Sequence, residues 1–184
     1  LTQINRPAKQ QPVSENNIPP GDVDIGDWKK YSNQNYKFEF KYPKDWQLYE
    51  SEGMAAGGVS LSAPTDSGVF QTFDLVANNS YSVNEAEYPI TQSYVTDAMK
   101  AFKLKVNNFK QDVLNIGGIM AVSMRGIDNG KEAEGRLIGK QRQELVFIRE
   151  DVFYSINYLG FSGHYEDEFS KILSTFKFLN LETD

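Results

Sequence analysis

Hydrophobic and polar residues alternate along much of this chain, which is the period expected of half-buried strands. Between positions 36 and 42 every second residue is aromatic, and the residues between them are charged. Pro43 follows, and because proline has no amide hydrogen to give to a sheet ladder, we expect the strand to end there. Similar short runs predict further strands at residues 46–49, 59–63 and 70–77.

The period changes to that of a helix in two places. Apolar residues recur every three or four positions between about residues 91 and 103, which predicts one helix. The same spacing links Tyr165, Phe169 and Ile172 and predicts a second helix over about 165–173.

The second half of the chain otherwise has the pattern of a strand meander. Two turn signals, Gly117-Gly118 and Asn129-Gly130, separate runs that alternate in polarity. The predicted strands are 108–116, 119–127, 135–148 and 152–159, with a short closing strand at 175–179. Because strands and helices do not alternate regularly, the sequence predicts an α+β domain in which helices flank an antiparallel sheet.

The N-terminal segment differs from the rest of the chain. Residues 1–26 are rich in Gln, Asn, Pro and Ser and have no apolar period, so they offer too little hydrophobic surface to offset the entropy of ordering. We therefore expect residues 1–26 to be a disordered tether and residues 27–184 to form one domain. An ordinary flexible terminus fits the composition equally well.

Charge and cysteine content narrow the possible functions. The net charge of -6 and the lack of any basic run are against a nucleic-acid partner. The longest apolar runs are far shorter than the ~20 residues that a membrane-spanning helix needs. The chain has no cysteine, which excludes disulfides, thiol catalysis and cysteine metal ligands and is compatible with export.

Two segments of the sequence carry a family signature. Trp28-Lys29-Lys30-Tyr31, followed by the aromatic strand that ends in Tyr42-Pro43-Lys44-Asp45-Trp46, resembles the N-terminal signature of the PsbP-like family. The stretch from Tyr165 to Phe178 is similar to the helix and closing strand of that family. Some members of this family are extrinsic subunits of photosystem II in plants and cyanobacteria, and these usually have an Asp-Gly type sequence before the aromatic strand. This chain has Gln34-Asn35 there, which favours the exported bacterial branch of unknown role.

The resemblance implies an α/β/α sandwich around an antiparallel sheet. It also implies a binding module that is not an enzyme and has no cofactor, since most members of the family bind other molecules. Lipoprotein members are anchored through a cysteine, so any membrane anchor of this protein is expected upstream of residue 1. The aromatic residues of the signature are themselves interpreted as core packing.

One group of residues is a candidate metal site. His164 is the only histidine, and Glu166 and Glu168 follow it closely, so the three could hold zinc or manganese. Consecutive helical residues point in different directions, however, and acids in a first helical turn are also favoured by the helix dipole.

Two other motifs fail on inspection. Ser162 and His164 lie in a Gly-Phe-Ser-Gly-His run, but the chain has no other histidine to act as the base of a hydrolase triad. The acidic run from Asp22 to Asp27 has the wrong residues at the fifth, sixth and twelfth places of a calcium loop.

The sequence thus supports three hypotheses. The first is a non-enzymatic extracytoplasmic interaction module, tethered to the cell envelope, whose partner is another envelope or surface protein. The second is a small-ligand or metal-ion binding protein that uses His164, Glu166 and Glu168. The third is a hydrolase, for which the single histidine is the only obvious general base.

Overall fold

The computed structural model describes residues 15–16, 25–52, 56–64, 72–78, 92–131, 139–149, 152–160 and 166–179. The strands are Glu15–Asn16 (β1), Lys29–Asn33 (β2), Phe38–Tyr42 (β3), Gln47–Glu52 (β4), Ala56–Ser62 (β5), Thr72–Asn78 (β6), Val106–Ile116 (β7), Ile119–Asp128 (β8), Gln141–Arg149 (β9), Val152–Gly160 (β10) and Lys177–Phe178 (β11). The helices are Gln92–Lys105 (α1) and Glu166–Thr175 (α2).

These strands form two sheets. Eight of them form a large sheet in the order β1-β7-β8-β9-β10-β6-β5-β4, and three form a small sheet in the order β11-β3-β2. All neighbouring pairs are antiparallel except β1 and β7, which are parallel. The predicted α+β class, with helices flanking antiparallel strands, is confirmed, and the division into two sheets is a feature that the sequence pattern did not predict.

The large sheet has two packed faces because successive side chains in a strand point to opposite sides. In the central strand β9, Leu145 and Phe147 face the small sheet and α2, whereas Val146 faces α1. The protein is therefore layered as α1, the large sheet, and then the small sheet together with α2.

The main core lies between the large sheet on one side and the small sheet and α2 on the other. Its largest fully buried side chains include Phe38, Phe40, Phe147 and Phe169. The ring centroids of Phe38 and Phe176 are 5.4 Å apart, and those of Tyr158 and Phe169 are 5.0 Å apart. The aromatic signature is thus part of the core, as the sequence predicted.

A smaller core lies beneath α1. Val95 and Phe102 of the helix pack against the first residue of β7, Val106, and against Met124 and Val146 of the sheet. This contact explains the helical spacing of apolar residues in α1, because that spacing places them on the one face that meets the sheet.

Most predicted elements are present with shifted bounds. The aromatic strand begins at Phe38 because Lys37 has a φ of 54°, a conformation that a regular strand does not allow. The helix α2 continues to Thr175, so the closing strand is shortened to Lys177–Phe178. Lys29–Asn33 forms a strand that the sequence pattern did not predict.

Two predictions fall partly outside the described residues. Of the predicted tether, positions 15–16 pair with β7 as the strand β1, and most of its other positions lie outside, so its disorder stays a prediction. Of the long strand predicted at 135–148, the described part begins at Gln141, after Gly139 with a φ of 79°. Across the parts of the chain that are described, neither helix has the length and apolarity to span a bilayer.

Candidate functional site

The central strand β9 is divided into two unlike halves. Its first four residues are Gln-Arg-Gln-Glu, and the next four are Leu-Val-Phe-Ile. The apolar half lies within the two cores, whereas the polar half continues into polar residues of the neighbouring strands. We call this region the polar end of the sheet, and it consists of Lys110, Asp112, Ser123, Arg125, Asp128, Gln141, Arg142, Gln143, Glu144, Ser155 and Asn157.

A β-bulge interrupts β7 at the polar end. The register between β7 and β8 shifts between Asn107 and Lys110. Asn108, inside the bulge, has a φ of 54°, which places a non-glycine residue in the left-handed region. Bulges that redirect the chain in this way are frequent beside functional sites, so the bulge indicates a candidate site in this region.

The bulge depends on a glycine in the opposite strand. A Cβ atom on Gly126 would lie 2.6 Å from Cβ and Cγ2 of Val106 and 2.8 Å from the carbonyl oxygen of Asn107. Real carbon atoms do not approach so closely, hence any larger residue at position 126 would push the two strands apart. Gly126 thus allows the backbone of β7 to fold tightly against β8.

A cavity of about 270 Å³ opens at this bulge. We call it the bulge cavity, and its lining residues are Asn108, Lys110, Arg125, Gly126, Ile127 and Gln141. The lining combines two cations, two side-chain amides and one apolar side chain. Cations and amides donate hydrogen bonds, so the cavity suits a group rich in acceptor oxygens.

The charged side chains of the cavity are only partly neutralised. Arg125 forms an ion pair with Asp112, and the two side chains are 44% and 25% exposed. A guanidinium has five N–H donors in a rigid plane, so pairing with one carboxylate orients it and leaves further donors available. The side chain of Lys110 is exposed at the cavity wall and has no salt bridge within the described residues.

One further contact supports the floor of this region. Gln143 Nε2 donates a hydrogen bond to Oγ of Ser123 over 3.1 Å, and Ser123 is 1% exposed. Gln143 lies opposite Arg125 in the sheet register, so this bond fixes the side chain next to the arginine. The cavity is therefore placed on a rigid strand framework, as precise recognition requires.

The opposite face of the polar end contains a hydrogen-bonded network under α1. Asn157 Nδ2 donates to Oγ of Ser155 over 2.9 Å, and Ser155 Oγ donates to Oε1 of Glu144 over 3.1 Å. Burial raises the pKa of Glu144 above its ordinary value of 4.5, against the opposing effects of the Ser155 hydrogen bond and of the charges on Lys105 and Arg142. Loss of water around a carboxylate favours its neutral form, which explains the direction.

A second buried carboxylate on the same face has a structural role. Asp128 is 2% exposed, and its Oδ2 accepts a hydrogen bond from Nε of Arg142 at 2.5 Å. Its Oδ1 accepts the amide hydrogen of Gly130 at 2.7 Å. Asp128 thus holds the Asn129-Gly130 turn that the sequence predicted.

Another cavity, of about 160 Å³, lies beside β2 and β4. Tyr31 donates a hydrogen bond to Oε1 of Glu50 over 2.7 Å and accepts one from Asn33 over 3.1 Å. Burial, and then the hydrogen bond to Glu50, raise the pKa of Tyr31 to about 12. Because its hydroxyl is already engaged as donor and acceptor, Tyr31 links the small sheet to the large one, and we assign it a structural role.

The residues predicted to bind a metal are only partly described. Glu166 and Glu168 lie in the first turn of α2, as predicted, while His164 and Ser162 lie outside the described residues. Burial raises the pKa of Tyr158 to about 12, and the charges of Glu166 and Glu168 add to this effect. No group of three metal-ligating residues occurs among the residues that are described, and the metal site at His164, Glu166 and Glu168 stays a prediction.

Sequence reasoning did not find the bulge cavity. Its cations come from different strands, and a register shift brings them together, so no local spacing indicates the site. A lone glycine within a strand pattern is the usual sign of a bulge or a close backbone contact. Gly126 was such a sign, and it was available in the sequence.

Comparisons with known proteins bear on the fold. No model of a known protein family matches the sequence, and no curated protein is significantly similar to it. A crystal structure from Bacteroides thetaiotaomicron matches with a TM-score of 0.55 and 12% identity over 85% of this chain. The match covers 50% of that chain, so this protein spans half the length of that structure.

Two further solved structures match over most of both chains. The solution structure of cyanobacterial PsbP (CyanoP) from Synechocystis sp. PCC 6803 matches with a TM-score of 0.52 and 14% identity, over 86% of this chain and 96% of that one. LpqN of Mycobacterium tuberculosis, described as involved in cell envelope biogenesis, matches at a TM-score of 0.47 and 14% identity, over 85% of this chain and 88% of that one. Similarity at these identities concerns the fold alone, and the LpqN match is too weak for any argument. The expectation drawn from the aromatic signature is nevertheless confirmed at that level, because the protein has the PsbP-like fold.

Proposed function

We propose that this protein is a non-enzymatic, extracytoplasmic binding module that recognises a carboxylate-bearing group of another protein in the bulge cavity. The observation that carries the proposal is the convergence of Lys110, Arg125 and two side-chain amides on one cavity of about 270 Å³. These groups are hydrogen-bond donors or cations, and an acidic group is their natural complement.

The overall charge of the protein strengthens the assignment of an anionic ligand. The chain has a net charge of -6, yet Lys110 and Arg125 lie next to each other across β7 and β8. A local cationic cavity in an acidic protein attracts an anionic group to that cavity and away from the rest of the surface.

The lining favours recognition over chemistry. Lysine, arginine and amide side chains fixed on strands position a ligand by donating hydrogen bonds, and Asp112 is committed to orienting Arg125. A general base would need a free acceptor within hydrogen-bond reach of the bound group, and the residues that line the cavity include neither a carboxylate nor a histidine. The ligand is therefore bound and left unchanged.

The extracytoplasmic setting rests on the sequence. The chain has no cysteine, and its polar N-terminal segment is suited to a tether that separates a domain from an envelope surface. An acidic side chain or terminal carboxylate of an envelope protein fits the cavity and this setting together.

Titration with single-carboxylate probes tests the cavity directly. In amide NMR spectra of the full chain, N-acetylglutamate amide should shift the signals of Asn108, Lys110, Gly126 and Gln141. The neutral glutamine analogue of that probe should leave the same signals in place, because it lacks the charge.

Matched variants distinguish the cavity from general surface charge. Lys110→Gln combined with Arg125→Gln should abolish the shifts, whereas Lys177→Gln, which removes an exposed lysine of β11, should preserve them. Equal responses to the charged and neutral probes, or shifts that persist in the double variant, would rule out the cavity as an anion-recognition site.

A metal site beside α2 is the second candidate. Glu166 and Glu168 lie in the first turn of α2, and His164 lies two residues before Glu166 in the sequence. Calorimetric titration with zinc and manganese should give heat that is lost in His164→Ala if this site operates. Absence of heat in the wild-type chain would dismiss it.

A further inference from the structure

A polar cavity of about 160 Å³ is formed by the turn that joins β2 to β3 and by the strands β4 and β5. We call it the turn cavity, and it is lined by residues 31–36 together with Glu50, Ser51 and Gly58. In the large sheet, β9, β10 and β6 separate β5 from β8, the strand that contributes Arg125 to the bulge cavity. The turn cavity is therefore a separate site.

The turn that forms one wall of this cavity is held in place by hydrogen bonds. Asn33 Oδ1 accepts the amide hydrogen of Asn35 over 3.0 Å and that of Tyr36 over 2.9 Å. The hydroxyl of Tyr154, which is buried in the main core, donates to the carbonyl oxygen of Tyr36 over 3.1 Å. A wall that is fixed in the free protein has little ordering entropy left to lose when a ligand binds.

The lining of the turn cavity is polar and almost neutral. Glu50 has the only charge among the lining residues that the structure describes, and the other polar side chains are amides and hydroxyls. Amides and hydroxyls both donate and accept hydrogen bonds, so the lining complements a ligand in which donors and acceptors are adjacent. The hydroxyls of a sugar have this property, whereas a carboxylate only accepts hydrogen bonds and an ammonium group only donates them.

The single carboxylate is exposed and already oriented. Glu50 Oε1 accepts the hydroxyl hydrogen of Tyr31 over 2.7 Å, and the oxygen of that hydroxyl accepts a hydrogen bond from Asn33 Nδ2 over 3.1 Å. An ionised carboxylate has about four acceptor positions on its two oxygens, so the bond to Tyr31 leaves others for hydroxyl hydrogens of a ligand.

The size and the aromatic part of the wall define the ligand further. The volume of about 160 Å³ is below the ~300–1,000 Å³ of sites for drug-sized ligands, so the cavity suits one ring and not an extended chain. Tyr31 and Tyr36 contribute to the wall, and a tyrosine combines an apolar ring with a polar hydroxyl. A sugar ring likewise has both C–H and O–H surfaces.

We propose that the turn cavity binds one neutral sugar residue, whose hydroxyls are held by Glu50 and by the exposed side chain of Asn35. The proposal goes beyond the carboxylate recognition described above and does not depend on it, because the two cavities share no residue.

Amide NMR spectra of the full chain provide the test, with the methyl glycosides of glucose, galactose, mannose and N-acetylglucosamine as probes. At least one glycoside should shift the signals of Ser32, Asn35 and Ser51 and leave those of Lys110 and Gly126 in place. The fully O-methylated form of that glycoside has no hydroxyl hydrogen to donate and should shift none of them. An ammonium probe, n-butylammonium, should also leave the signals of the turn cavity in place.

Two matched variants then assign the binding to the cavity. Glu50→Ala should raise the Kd of the active glycoside at least about tenfold, the effect of losing a hydrogen bond to a charged group. Asp45→Ala removes an exposed carboxylate that does not line the cavity and should leave the Kd unchanged. No shift with any of the four glycosides, equal shifts with the O-methylated form, shifts with the ammonium probe alone, or an unchanged Kd in Glu50→Ala would overturn the proposal. Because Lys110 and Arg125 are unchanged in these chains, failure of the turn cavity and failure of the bulge cavity remain distinguishable.

Discussion

The two halves of β9 differ in how each residue contributes. From Leu145 to Phe147 every side chain is buried in one of the two cores, and its role is packing. From Gln141 to Glu144 the side chains are partly exposed, and they join hydrogen-bonded or charged groups of neighbouring strands. One end of the strand therefore stabilises the fold, and the other end lies at the site that we propose for binding.

This difference shows where a binding site can be placed in a sheet. The apolar half fixes the register of β9 because a one-residue slip would exchange the side chains that face the main core with those that face the core under α1, and each core is packed around its own side chains. The polar half has the same register because it belongs to the same strand, so its own side chains are not needed to fix it. The side chains of the polar end are thus free to be selected for binding.

The largest expected effect is in the main core, which the apolar half of β9 shares with the small sheet. Phe40 is 1% exposed, and its ring centroid lies 5.3 Å from that of Tyr31. Phe40→Ala should lower the free energy of unfolding by ~3–5 kcal/mol, because it removes buried surface and leaves a cavity. Chemical denaturation measures the loss, and Phe40→Leu should lose clearly less. A change under 1 kcal/mol would contradict the assignment of Phe40 to the core.

Gly126→Ala should produce the next largest effect. The added methyl group would collide with Val106 and with the backbone of Asn107, which should cost ~1–3 kcal/mol of unfolding free energy. The penalty should shrink when the substitution is made in a Val106→Gly chain, since that change removes both Val106 atoms and leaves only the contact with the backbone of Asn107. Strict additivity of the two substitutions in denaturation experiments would show that the close approach at the bulge does not exist.

A smaller effect, with a definite sign, is expected at Glu144. Its pKa is raised in the folded protein, so the folded state holds this proton more tightly than the unfolded state. The free energy of unfolding contributed by this group therefore falls as pH rises above 4.5, up to the folded-state pKa. Glu144→Gln, whose amide oxygen can still accept the Ser155 hydrogen bond, should make stability less dependent on pH in that range.

Denaturation curves of the wild type and of Glu144→Gln between pH 4 and pH 8 measure this difference. The variant should gain stability relative to the wild type as the pH rises. A variant that loses relative stability over the same range would mean that the carboxylate is favoured by its surroundings in its charged form.

The smallest effect on stability is expected in the bulge cavity itself. Lys110 is exposed and belongs to neither of the two cores. Lys110→Gln should therefore change the free energy of unfolding by less than ~0.5 kcal/mol. The same variant should weaken carboxylate binding, measured by the NMR titration. A large loss of stability would contradict the view that the side chains of the polar end contribute little to the stability of the fold.

Elements that contribute to the cores were predictable from the sequence, whereas the polar end was not. The alternation from Phe38 to Tyr42 predicted a strand and its core face, because burial on one face enforces a period of two. The stripe of Phe169 and Ile172 predicted α2 for the analogous reason at a helical period. The strand Lys29–Asn33 was missed because only Tyr31 is buried in it, which gives too little alternation to detect.

The polar end had no comparable signal. Its groups converge through strand pairing between distant parts of the chain and through one register shift, neither of which is visible in local sequence. The sequence instead indicated a metal site at His164, because the chemical type of a residue can be read from sequence and the geometry of a site cannot. Gly126 was the one local sign of the bulge.

Site-specific photo-crosslinking in the envelope fraction of the source cells tests the central claim most directly. A photoreactive residue at Gln141, in the lining of the bulge cavity, is compared with one at Ala101, on the exposed side of α1. The account predicts a discrete protein adduct from position 141 that disappears in Lys110→Glu, and none from position 101. The same adducts from both positions, or an adduct at 141 that persists in Lys110→Glu, would contradict it.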